Sequence, residues 1–151
     1  MNPRSISTIA SVSLVALAML AAPSASLAQS ADPSGTYLTQ KGDARVKVSR
    51  CGGAICGVVV WLRDKIDPMT GQPQRDDKNP NPALRNRPIV GLPLFIDMRP
   101  SGPNRWSGQI YNADDGSTYV SHVSVNGQDT LQVDGCVGAI CGGEVWTRVG
   151  R

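Results

Sequence analysis

One eleven-residue segment is written nearly twice in this chain: Cys51-Gly-Gly-Ala-Ile-Cys56-Gly-Val-Val-Val-Trp61 and, 85 residues on, Cys136-Val-Gly-Ala-Ile-Cys141-Gly-Gly-Glu-Val-Trp146. Eight of the eleven positions are identical, and all four cysteines lie inside the two copies. Cysteines five positions apart with small residues between them suit two strands facing each other across a tight turn. Each copy then runs into an apolar strand ending in Trp. Such a chain is constrained towards a small, disulfide-stapled β structure.

Four cysteines allow three pairings. Local pairs, Cys51–Cys56 and Cys136–Cys141, each close a six-residue loop, worth about 2 kcal/mol on the chain-entropy model. A long-range pair such as Cys51–Cys141 closes 91 residues, worth about 4.6 kcal/mol on the same model. Loop entropy favours the long-range bridge. Geometry favours the local one, because a short hairpin brings flanking Cα atoms within disulfide reach. The duplication argues the same way, for two equivalent staples. A Cys₄ zinc site would have C-x4-C spacing, at the edge of the structural-zinc range, and C-x-x-C for redox catalysis is absent.

Residues 1–28 read as a secretory leader. Arg4 supplies the positive start, Ile9 to Ala22 the apolar run, and Ser26-Leu27-Ala28 a small-x-small cleavage site. The run is shorter than the roughly 20 apolar residues that span a bilayer. The mature chain is then 29–151, sized for a single domain, and periplasmic or secreted. An oxidising compartment suits its cysteines. Without Arg4 the net charge falls from +3 to +2, and the basic residues are scattered. No basic stripe supports nucleic-acid binding, and no second apolar run suggests an integral membrane segment.

Period-2 alternation with turn signals between the runs predicts β structure almost throughout. Eight strands are expected: Thr36–Thr39, Ala44–Arg50, Ile55–Arg63, Leu92–Met98, Arg105–Asn112, Ser117–Val125, Thr130–Asp134 and Gly143–Val149. Asp114-Asp115-Gly116 and Val125-Asn126-Gly127 are hairpin turns. Between the third and fourth strands, residues 64–91 form a long proline-rich insertion, with Asn81 capping a short helix that starts at Pro82. The fold class is all-β. Eight antiparallel strands in this length suit an up-and-down barrel, with a two-sheet sandwich as the alternative.

No catalytic set assembles from the sequence. His122 is the only histidine, and its strand position predicts a wall residue facing away from Tyr119, Ser121 and Val123. Asp64, Asp67, Asp76 and Asp77 do not match calcium-loop spacing and read as solvated turn residues. The seven aromatics are Tyr37, Trp61, Phe95, Trp106, Tyr111, Tyr119 and Trp146. Each is a core plug or a pocket wall, with core packing favoured for any single one, while the polar tips of the Trp and Tyr residues suit the lining of a small pocket.

The residues that become familiar run in order. They are Gly35-Thr36-Tyr37; Arg50-Cys51 through Gly57 into Val60-Trp61-Leu62; Asp77-Lys78-Asn79-Pro80-Asn81-Pro82-Ala83-Leu84-Arg85; Arg87-Pro88 to Gly91-Leu92; Trp106 to Asn112; Asp115 to Tyr119; and Val145-Trp146-Thr147-Arg148-Val149. Together they resemble a family of small exported bacterial proteins, domain of unknown function 2147, over nearly the whole chain after the leader. The resemblance implies a lipocalin-type (calycin) barrel of eight strands closed around a small cavity. Such barrels carry G-x-W on the first strand and an Arg on the last, packed together at one end. Gly35-x-Tyr37 stands where G-x-W would, with Tyr for Trp, and Trp146 and Arg148 stand in the last strand. A guanidinium lies over either ring.

The resemblance transfers no activity, cofactor or metal. The expected function is non-catalytic binding of a small apolar or amphipathic ligand. Its candidate contacts are Trp61, Trp106, Tyr111 and Tyr119, with Arg63, Arg85 and Arg87. The alternative is a structural or protein-interaction module of the cell envelope that docks through the 64–91 loop. There, Arg85 and Arg87 either mark a site or bond loop carbonyls.

Overall fold

A computed structural model describes residues 31–151; the predicted leader lies outside them. Eight antiparallel strands follow one another around a closed barrel. They are β1 (Gly35–Leu38), β2 (Ala44–Cys51), β3 (Ala54–Leu62), β4 (Phe95–Gly102), β5 (Arg105–Asn112), β6 (Ser117–Val125), β7 (Thr130–Val137) and β8 (Ile140–Gly150). β1 pairs with β8 through Tyr37↔Arg148 and Leu38↔Thr147, so no long edge is left unpaired. The sandwich alternative is excluded by this closure. A 3-10 turn, Pro82–Leu84, is the only helix among the described residues; Asn81 caps it by accepting from the Ala83 amide.

The alternation seen in the sequence is the physical basis of the walls. In β2, Val46 and Val48 are buried while Arg45 and Lys47 are exposed. In β6, Ser121 and Val123 point inward and His122 outward. The strands that carry the second cysteine segment run longer than expected. β7 extends to Val137 and β8 begins at Ile140, because Gly138, at φ +59°, completes the turn within two residues. Gly52 and Gly53, both at positive φ, do the same between β2 and β3. The fourth strand starts later than expected, at Phe95. Leu92 and Leu94 still bond to Val59 and Gly57 of β3 through the backbone.

Both disulfides are local, Cys51–Cys56 and Cys136–Cys141. Short hairpins hold these Cα atoms 5.9 and 4.0 Å apart, so proximity outweighs the loop-entropy advantage of a long-range bridge. In an up-and-down barrel alternate turns lie at opposite ends, which separates the two copies. The β2–β3 staple sits at one end and the β7–β8 staple at the other.

The first end is filled. Val48, Ile55, Met98, Trp106, Val123 and Leu131 belong to one buried cluster. Beneath it the Arg148 guanidinium lies 4.9 Å over the ring of the fully buried Tyr37. The guanidinium donates to the carbonyls of Ser34 and Asp32, and its Nε lies 3.6 Å from Asp129. The Tyr37 hydroxyl donates to the Pro33 carbonyl at 2.9 Å. Gly35 makes room for the stack: a Cβ there would run into the Arg148 guanidinium and come 3.0 Å from the Gly150 carbonyl.

Two consequences can be measured. Gly35→Ala should cost about 1–3 kcal/mol by overpacking, read as a lower urea midpoint at unchanged m-value. Replacing Cys136 and Cys141 together by Ser should cost about 2 kcal/mol and leave the far-ultraviolet spectrum unchanged. A loss of the β spectrum would show that this staple is needed to form the barrel and not only to stabilise it.

Candidate functional site

The opposite end is hollow. A cavity of about 820 Å³ opens between the β1–β2, β5–β6 and β7–β8 turns and the 63–94 connection. Its walls carry Val59, Leu94, Ile110 and Val133, and Trp146 is part of its lining. Trp146 stacks on Phe95, with ring centroids 6.0 Å apart and planes 8° apart. Gly57 admits that ring, since a Cβ there would sit 2.8 Å from it. Space arises from small side chains at wall positions near the mouth: Ala44, Gly135 and Gly142 line it. A Cβ on Gly142 would meet nothing within 4 Å. The rim carries Lys41, Arg63, Arg75 and Lys78 among Asp43, Asp64, Asp77 and Asp114.

The long connection borders the cavity and is held by a buried carboxylate. Asp76 is fully buried, which corrects its expected place as a solvated turn residue. It accepts from the Tyr111 hydroxyl at 2.6 Å and the Asn79 amide at 2.8 Å, and pairs with Arg87 at 2.7 Å. Burial alone would raise its pKa. The hydrogen bonds from Tyr111, Asn79 and Arg87, with the Arg87 charge, outweigh burial and hold it below the usual carboxylate value. Burial and the same carboxylate push the Tyr111 phenol up. Lys78 then fastens the connection to the β5–β6 turn by donating to the Asp114 carbonyl at 2.7 Å. Gly116 lets the two approach, because a Cβ there would overlap the Lys78 carbonyl.

The residues expected to contact ligand fall into four groups. Arg63, Tyr111 and Tyr119 do line the cavity. Tyr119 reaches the rim, its hydroxyl donating to Asp115 at 2.6 Å. That bond holds the Asp115 carboxyl low. Trp106 is a core plug at the filled end. Trp61 lies on the outer wall under the Arg45 guanidinium, 4.7 Å from its ring centroid. A bulge puts it there: Arg45 pairs with Trp61 but Val46 with Val59, so one extra residue flips the side-chain parity of β3.

Arg85 and Arg87 stand outside the cavity lining. Arg85 donates to the Asn79 carbonyl at 2.7 Å, and Arg87 lies over the Tyr111 ring at 5.6 Å. They brace the loop. Of the closure residues, Gly35, Tyr37 and Arg148 meet at the filled end, while Trp146 sits higher, at the cavity. His122 is exposed, its Nδ1 2.9 Å from the Ser107 hydroxyl, and neither residue lines a cavity. Both cysteine pairs are consumed as disulfides, so they supply no thiolates for zinc. Among the described residues no helix is long and apolar enough to cross a membrane.

A closed eight-stranded antiparallel barrel, filled at one end by an Arg–Tyr stack and hollow at the other, defines a lipocalin-like protein. A protein of Helicobacter pylori, HP1028, described as belonging to the lipocalin family, superposes with a TM-score of 0.67. It is 25% identical, over 79% of this chain and 84% of its own. The chain belongs to the bacterial family described as an uncharacterized protein conserved in bacteria (DUF2147), whose profile matches residues 35–148. No curated protein matches it.

Removing one donor to Asp76 tests the brace. Arg87→Ala should cost about 1–3 kcal/mol by leaving a buried carboxylate short of a partner, and Arg85→Ala less. Because the folded pKa of Asp76 is lowered, its contribution is complete above the unfolded carboxylate value of about 3.9. That contribution is lost as pH falls through the folded value. Stability measured from pH 5 downwards should therefore fall less steeply in Tyr111→Phe than in the wild type. Equal slopes would mean that Asp76 does not carry this linkage.

Proposed function

We propose that this protein is an exported, non-catalytic binding module that takes a small apolar or amphipathic molecule into the open half of its barrel. One observation carries the reading: a cavity of about 820 Å³ with Val59, Leu94, Ile110, Val133 and Trp146 in its lining, whereas the hollow of about 830 Å³ at the other end lies against Asp32, Ser34, Lys47, Ser49 and Gln128 outside the Arg148–Tyr37 stack. The former volume lies in the range of ligand sites, about 300–1,000 Å³. The polar rim supports an amphipathic ligand, apolar body inward and polar head at the mouth. Two disulfides and the leader-like first 28 residues support a periplasmic or secreted setting. The fold by itself names no ligand.

A neutral apolar dye, N-phenyl-1-naphthylamine, should gain fluorescence on mixing with the protein and shift the Trp146 emission. Gly142→Phe places a ring into the open cavity, where nothing opposes a Cβ. It should abolish dye binding and change stability by no more than about 0.5 kcal/mol. Undiminished dye binding in that variant would place the dye elsewhere and remove this reading.

A further inference from the structure

The two copies of the repeated segment differ at three positions, and one of them changes the chemistry of the cavity. Val59 of the first copy corresponds to Glu144 of the second. Both line the cavity, so the second copy puts a carboxylate where the first has a buried valine. Glu144 is the only glutamate in the chain. It is also the only charged lining residue that lies within a strand, all the others being on turns and the long connection.

Glu144 is half-buried, shares the inward parity of Trp146 in β8, and accepts from the Trp146 indole at 3.0 Å. An ionised carboxylate accepts about four hydrogen bonds, and the indole supplies one. The four basic and four acidic side chains of the rim balance one another. Three of the basic ones are engaged: Arg63 with Asp64, Arg75 with the Asn86 carbonyl and Lys78 with the Asp114 carbonyl. The net charge of the lining is thus the one negative charge on Glu144, set against an apolar wall.

The geometry points to a ligand class: an amphipathic molecule with a protonated amine, its cation on Glu144 and its apolar chain along Leu94, Ile110 and Val133. This rests on reading the cavity as the ligand site. A charge-assisted N–H···O bond in a partly dry site is stronger than a neutral one, and a carboxylate head would be repelled at the same position.

Displacement of bound N-phenyl-1-naphthylamine separates the two ideas. Dodecylamine and dodecanoic acid are titrated below their micelle concentrations at pH 7 against wild type and Glu144→Gln. Gln keeps the acceptor for Trp146 and removes the charge. In the wild type the amine should displace the dye about tenfold more tightly than the acid, and in Glu144→Gln the two should become equal. If the wild type binds dye without preferring the amine, the amine proposal fails and the cavity reading stands. A preference that survives in Glu144→Gln removes Glu144 from the role. Absence of dye binding in the wild type removes both. The wild-type comparison alone decides the ligand class should the variant fold poorly.

Discussion

The stack of Arg148 on Tyr37 is the constraint from which the rest of this barrel follows. It joins the last strand to the first and plugs one end with two large side chains. It also ties the entering chain, through the Ser34 and Asp32 carbonyls, to the same guanidinium. Gly35, having no side chain, leaves the guanidinium room at this position. Tyr in place of Trp preserves the stack, since the guanidinium needs a ring face. The smaller ring spends its hydroxyl on the Pro33 carbonyl.

With that end sealed and filled, the other can remain hollow. Large inward residues crowd the sealed half, whereas Ala44, Gly135 and Gly142 leave the mouth unfilled. An open mouth needs walls that hold their places, and two devices supply this. The Cys136–Cys141 bridge ties β7 to β8 at the rim. The Asp76 cluster fixes the long connection to β5. A buried carboxylate is costly without partners, and Asp76 has three. The connection is therefore a braced part of the cavity wall.

The repeated cysteine segment shows how equal sequences diverge in a closed barrel. Its two copies lie at opposite ends, so the same Ile is 2% exposed at position 55 and 81% exposed at position 140. The same Trp faces outward at 61 and inward at 146, because β3 bulges between Ile55 and Trp61 whereas β8 pairs with β7 in unbroken register from Ile140 to Trp146.

Strand number, the insertion after the third strand and the hairpin turns were legible in the chain through local signals: period-2 alternation and Gly and Asn turn chemistry. The closure pair was implied by the resemblance to calycin barrels and by no local signal. Residue roles at the cavity were less legible. Arg63, Tyr111 and Tyr119 were found by type and place, but Trp61 was lost to a bulge that no residue in β3 announces. Trp106 was lost to its depth along the barrel axis. Asp76 looked like any loop aspartate, since its partners Tyr111 and Arg87 are 35 and 11 positions away. The sequence alone determined which residues alternate, turn and pair locally, because those preferences act over a few residues. Only the tertiary structure decided which end is solid, which is hollow and which polar groups are buried, because these depend on closing the barrel and bringing distant strands into register.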